Sequence, residues 1–284
     1  MSIKPGLTLS ASMLLSAAKT AFLENPMFRC LKPLPLTVAI AALGIITTSC
    51  ATNPAKGRFL NALQNTNAYG GVGATIDVKI NQTKIFSSLG FATPSSTYTT
   101  IATGNDTFDG YECCADTTPV FTGLTANLTG GYQYTLIAAG LAGGSGALAP
   151  TLIYQHDENI VPAANTLEFR VINASPDSPA SVDVWIIPEP TTGPEGSCAS
   201  PGQTNCPISG LAYTDISPYK SFTAIQGGTF GLFVTFHNST SLIAKTTLPG
   251  SAGSITTIVL VDTQNGSFMS PTPVILEDLQ GSGS

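Results

Sequence analysis

The chain has 284 residues, of which 43% are apolar and only 10% charged, with 28 Gly and 20 Pro. Typical domains carry about 25% charged residues; here Thr, Ser, Asn and Gly take their place, a pattern of exported all-β proteins that excludes a disordered chain. Eleven basic against seventeen acidic residues give a net charge of −6, which argues against nucleic acid as a partner because phosphate neutralisation needs a basic surface. Two His residues, far apart in sequence, supply neither a His-based metal site nor a catalytic triad, and no cofactor motif is present.

The most apolar stretch runs from Pro33 to Cys50. Its core of roughly 16 residues is short for a membrane span of about 20. It ends in small side chains and follows Arg29 and Lys32, so it reads as the core of a signal peptide, with Met27 as a candidate start and residues 1–26 as an overextended reading frame. Its end, Thr47-Thr48-Ser49-Cys50, resembles the lipobox of bacterial lipoproteins, in which small residues precede a Cys that is lipidated and becomes the new N-terminus. Ser49 and Cys50 fit, Thr48 is acceptable, and Thr47 replaces the usual Leu. The resemblance implies lipidation at Cys50, a membrane partner through that anchor, and, from Ala51 in place of Asp, the outer membrane. Cleavage by the ordinary peptidase and release to the periplasm or medium is the alternative. The expected organisation is a signal peptide over 1–49 and a tether over 50–56. Loss of 1–49 removes Lys4, Lys19, Arg29 and Lys32 with Glu24, leaving seven basic and sixteen acidic residues and a net −9. Such a body is repelled by anionic lipid, so the anchor and not the surface charge would hold it.

The remainder is an internal repeat. Gly57-Arg-Phe-Leu-Asn-Ala62 is echoed by Phe169-Arg-Val-Ile-Asn-Ala174, and Ile76-Asp-Val-Lys-Ile80 by Val182-Asp-Val-Trp-Ile186. Later pairs, such as Leu89 with Leu211 and Leu152 with Val274, keep a constant offset of 122 residues. The first copy is expected over 57–160 and the second over 165–280, joined by the hinge Pro162-Ala-Ala-Asn165. Within each copy Ile76, Val78 and Ile80, or Val182, Val184 and Ile186, alternate with other residues at period 2, the mark of a strand with one buried face. Further β-branched and aromatic runs lie over 132–138, 229–236 and 255–261, separated by Gly pairs such as Gly130-Gly131 and Gly227-Gly228. Six or seven short strands per copy predict an all-β protein of two tandem immunoglobulin-like β-sandwich domains behind the signal segment.

The run Phe169-Arg-Val-Ile-Asn-Ala-Ser-Pro-Asp-Ser-Pro-Ala-Ser-Val-Asp-Val184, followed by Leu211-Ala-Tyr-Thr-Asp-Ile-Ser-Pro-Tyr219, closely resembles the bacterial family called domain of unknown function 4397. The first copy keeps Asn61-Ala62 and Ile76-Asp77-Val78 but replaces the Ser-Pro-Asp turn with Leu63-Gln-Asn-Thr-Asn-Ala-Tyr-Gly-Gly71. The resemblance implies an exported β-sandwich module, often in tandem, with no catalytic residues to assign.

Candidate chemistry is sparse. The turn Asn173–Ala180 offers an amide, a hydroxyl and a carboxylate, but Pro176 and Pro179 preset it as a rigid connection. Asp77 and Asp183 hold matching places in the two copies and read as structural or solvated. Cys198 and Cys206 flank an insertion of roughly 16 residues found only in the second copy, so a local disulfide contributing about 2–3 kcal/mol is expected. Cys113 and Cys114 are adjacent. Three pairings of these four are open; local pairing in each copy is preferred. A thiol-based or hydrolytic enzyme is the remote alternative, because His156 lies far from both cysteines in sequence. His156-Asp157-Glu158 and Glu277-Asp278 read as polar exits from matching strands, and His237 as a surface turn residue. The aromatics Tyr69, Tyr98, Phe108, Tyr111, Trp185, Tyr213 and Tyr219 lie at loops or polar-phase positions. Among them Trp185, partly exposed, with Tyr213 and Tyr219, would suit recognition of a glycan or protein. The expected function is a cell-envelope lipoprotein whose sandwiches act as a non-catalytic binding or structural module, with a carbohydrate-binding surface protein as the alternative.

Overall fold

A computed structural model describes residues 53–64, 75–114, 117–176, 181–194, 196–198, 205–262 and 271–279. The signal segment, Cys50, Tyr69 and the end of the Asn173–Ala180 turn lie outside the described residues. Eight strands come first: β1 (Ala55–Gln64), β2 (Ile76–Ile80), β3 (Thr83–Leu89), β4 (Thr99–Ile101), β5 (Gly104–Glu112), β6 (Pro119–Leu128), β7 (Gln133–Leu141) and β8 (Thr151–His156). Eight more follow: β9 (Thr166–Asn173), β10 (Val182–Pro188), β11 (Ile208–Leu211), β12 (Lys220–Thr223), β13 (Thr229–Phe236), β14 (Leu242–Pro249), β15 (Ile255–Val261) and β16 (Thr272–Leu279). β1 begins at Ala55, inside the segment expected as tether.

The two sets have one topology. Inner sheets run β4-β1-β7-β8 and β12-β9-β15-β16, and outer sheets run β3-β2-β5-β6 and β11-β10-β13-β14. In each inner sheet the first strand pairs in parallel with the seventh, Lys56 opposite Gln133 and Phe169 opposite Thr256. The protein is therefore all-β, with four-stranded sheets arranged in two sandwiches. Eight strands replace the six or seven expected, because β4 and β12 span only three and four residues and leave no readable alternation.

Alternation decides which sheet faces which. Phe59 and Leu63 of β1, with Leu136 and Ala138 of β7, point toward Val78 and Phe108 of the outer sheet and close the first core. Phe169, Val171, Val184, Leu232 and Leu260 do the same in the second. The other face of each inner sheet is also apolar. Leu60, Ala62, Ile137, Ala139 and Ile153 meet Ile172, Ala174, Val259, Val261 and Leu276 in a third core between the sandwiches. Full burial of such a side chain is worth about 1.5–3 kcal/mol, so the inner strands are held from both sides.

Gly110 of β5 lies where the Phe121 ring of β6 crosses the strand, and a Cβ there would overlap the ring. Gly110→Ala is expected to cost roughly 1–3 kcal/mol through overpacking, read as a lower urea midpoint at unchanged slope.

Candidate functional site

Arg58 follows Gly57 and precedes Phe59, so strand alternation turns it away from the first core and toward the second sandwich. Arg170, between Phe169 and Val171 on β9, faces the opposite way for the same reason. Both guanidinium groups are almost fully buried. Arg58 Nε donates to Thr135 Oγ1 on its own sheet at 2.9 Å, and its Nη1 donates to the Glu277 carbonyl of the other sandwich at 2.9 Å. Its Nη2 donates to Asp278 Oδ1. Arg170 repeats each contact in the reciprocal direction, from Nε to Thr257 Oγ1 at 2.7 Å, from Nη1 to the His156 carbonyl at 3.0 Å, and from Nη2 to Asp157. The contact is isologous, as in a two-fold dimer: each half supplies the arginine for the other half's carboxylate.

The rest of the cluster is equally paired. Thr135 donates to Asp157 at 2.8 Å and Thr257 to Asp278 at 2.6 Å, so each threonine relays its arginine to the carboxylate of its own half. Tyr98 donates to Asp157 and Tyr219 to Asp278, both at 2.6 Å. The two rings lie beneath Arg58 and Arg170, 5.0 and 4.7 Å from the guanidinium carbons. Burial, reinforced by Asp157 for Tyr98 and by Asp278 for Tyr219, pushes both phenols far above their ordinary range, so they act as donors. Burial also pushes the Asp278 carboxyl up. Arg58 pulls against that shift, Asp157 adds to it, and Arg170 opposes it.

Asp157 and Asp278 are thus not polar exits into solvent but the buried centre of the interface, at 4% and 9% exposure. Sequence reasoning missed the two arginines as a pair, although both stand in the repeated Arg-Phe-Leu-Asn-Ala and Arg-Val-Ile-Asn-Ala segments. The signal was the recurrence of a charge on an otherwise apolar strand. At the far end of the interface Asp262 accepts Gln64 Nε2 from the first half at 2.6 Å and also the Ser175 hydroxyl.

Grooves open on both sides of the cluster. The larger, about 720 Å³, lies between the β3–β4 connection, including Ser95, Ser96 and Thr97, and the edge of β16 from Ile275 to Asp278. Its counterpart, about 350 Å³, lies between Ile216–Tyr219 and the end of β8, where the Glu158 amide donates to the Tyr219 hydroxyl.

The expected recognition aromatics do not form a surface patch. Trp185 is buried, at 1% exposure, and donates to Thr235 Oγ1. It sits opposite Phe233, which lies beside Gly193 of the second-copy insertion, so this segment covers the outer face that alternation left polar in phase. Tyr219 is tied to Asp278, and Tyr213 packs against the interface core with its phenol pushed up to about 12 by burial and then by Asp262. Phe108 belongs to the first core, Tyr98 to the cluster, and Tyr111 lies under Lys79 at 4.3 Å.

Both local cysteine pairs are bonded, Cys113 to Cys114 beside Ser88 Oγ, and Cys198 to Cys206. Asp77 and Asp183 are buried and hold turns. Asp77 accepts Lys84 Nζ and the Ser88 amide, each at 2.8 Å. Asp183 accepts the Gly210 and Asn238 amides and the Ser209 hydroxyl, with His237 Nδ1 at 2.8 Å. Burial disfavours the Asp183 charge, but the hydrogen bonds from His237, Asn238, Gly210 and Ser209 outweigh it and hold the carboxyl below its usual range.

Fold and cluster together define an all-β protein of two sandwiches whose buried arginines and carboxylates join its halves. The model of the family described as domain of unknown function (DUF4397) matches residues 58–185, and this segment is similar to that family. The match begins at Arg58 and ends at Trp185. It therefore lies mainly in the first half and crosses into β9 and β10. No curated protein matches the chain.

Arg58→Met leaves Asp278 buried without its arginine and is expected to destabilise the protein by about 3–5 kcal/mol in urea unfolding, with part of the loss recovered when Asp278→Asn is added. Asp183 gives a pH dependence of known sign. Its folded pKa is depressed, so its contribution is fully present above the unfolded carboxyl value near ~3.9 and is lost as pH falls through the folded value. Asp183→Asn should be less stable at neutral pH and lose less stability on acidification than the parent, measured by urea unfolding across the acid range.

Proposed function

We propose that this protein is a cell-envelope lipoprotein, anchored through Cys50 in the outer membrane, whose paired sandwiches act as a binding or structural module and not as an enzyme. The observation that carries the reading is the sequence Thr47-Thr48-Ser49-Cys50, which closes the apolar segment three residues ahead of Asn53, where the described β-body begins. The buried polar groups support the second part of the reading, since the arginines and carboxylates that a reaction would need are spent on each other across the interface. An acylated Cys holds stably because each buried methylene adds about 0.8 kcal/mol.

A second reading, glycan recognition, moves from Trp185 to the larger groove, which Ser95, Ser96 and Thr97 line together with the exposed Ile275. A glycan array tests it, with Ser96→Trp expected to abolish any binding by filling the groove.

For the lipoprotein reading, metabolic labelling with an alkyne fatty acid should tag the protein and partition it with membranes. Cys50→Ser should abolish the label and leave the chain unprocessed; an unlabelled, soluble parent protein would refute the anchor.

A further inference from the structure

Resting on the lipoprotein reading, we propose that the end of the β-body bearing Asn53, Tyr132 and Ile160-Val161 lies on the lipid surface, with those three apolar side chains in the bilayer interface. The strand register brings this end together. Lys56 lies opposite Gln133, Tyr134 opposite His156, and the Gly131 and Lys56 amides bond to the Pro54 and Tyr132 carbonyls. Asp157, which opens the connection to β9, bonds through its amide to the Gln133 carbonyl. Entry into β1, the turn before β7 and the connection between the halves therefore share one end of the molecule.

Two independent features of that end point to lipid. The first is reach. Asn53 is the third residue after Cys50, so the two lie at most about 11 Å apart at ~3.3–3.6 Å per residue. The Asn53 backbone already packs against Gly130, so no slack follows it. An acyl chain on Cys50 must then hold this end of the body against the headgroups. The second is exposure. Ile160 and Val161 are 71% and 69% exposed and Tyr132 is 49% exposed, three of the most exposed large apolar side chains among the described residues. Tyr132, its ring edge-on to His156, has the amphipathic shape that suits an interface. Lys56, exposed beside it, supplies a cation for lipid phosphates.

The test uses the processed full chain carrying Val161→Cys or, as control, Leu242→Cys. Leu242 is exposed at the opposite end of the strands, beside Thr235. Each added thiol is tagged with the fluorophore NBD, and the protein is reconstituted in phosphatidylethanolamine and phosphatidylglycerol vesicles. Mass spectrometry of the same preparation reads acylation at Cys50. The expected result is blue-shifted emission at 161 with doxyl-lipid quenching several-fold stronger than at 242. Water-like emission at 161 on an acylated protein, or equal protection at 242, overturns the orientation while leaving the anchor standing. An unacylated Cys50 overturns both.

Discussion

The exchange of arginines between the halves is the contact on which the architecture depends. Removing a guanidinium or carboxylate from water costs several kcal/mol, and the cost is recovered only when geometry and further hydrogen bonds are complete. Here completion is shared. Arg58 is satisfied by Thr135 on its own sheet but by Asp278 and the Glu277 carbonyl across the interface, and Arg170 by the matching set. Neither half can satisfy its charges alone. The apolar core between the inner sheets adds to the same effect, because Ile137 and Val259 would otherwise face water. Cohesion comes from the apolar contacts, and the charges fix register: a shift of one residue would set Arg58 against an apolar strand face.

Much of the fold was legible because its signals are local. Period-2 alternation at Val78 and Val184, Gly pairs at the turns and the constant offset between Leu89 and Leu211 identify strands, breaks and repeat without knowledge of what packs on what. The short strands β4 and β12 were not legible, since three or four residues cannot express a period. The interface was hidden for a different reason. Alternation says that Arg58 and Phe59 face opposite ways, but a polar phase reads as solvent-facing unless a second sheet is known to lie there. Asp157 and Asp278 consequently looked like strand exits, and Trp185 like a half-exposed ring. The first two are buried by the partner sandwich, distant in sequence, and Trp185 lies opposite Phe233, which Gly193 of the insertion adjoins.

The pseudo-two-fold relation also orders the surface. Because β1 and β9 begin at the cluster end, chain entry, the connection between halves and the end of β16 gather there, and the two grooves flank the cluster on opposite sides. The grooves differ although their walls correspond. Pro94-Ser-Ser-Thr-Tyr98 has one residue more than Ile216-Ser-Pro-Tyr219, and Glu158 closes the smaller groove by bonding to Tyr219. The groove beside Ser96 is accordingly the larger of the two.

Where the two halves stop matching, sterics explain it. Asp262 of the second half corresponds to Gly140 of the first, by the same offset that pairs Tyr134 with Thr256. Gly140 has a φ of +105°, and a Cβ there would press on the Ala149 carbonyl, so the first half has no room for a carboxylate. One acid then serves both sides, accepting Gln64 from the first half and Ser175 from the second. At the other end both halves keep the full Arg, Thr, Tyr and Asp set. An arginine there without its reciprocal carboxylate would be a buried unpaired charge, whereas Gln64 and Ser175 are neutral and one carboxylate can accept from both. The tolerance of asymmetry thus follows charge: the ionic end of the interface must be duplicated, and the neutral end need not be.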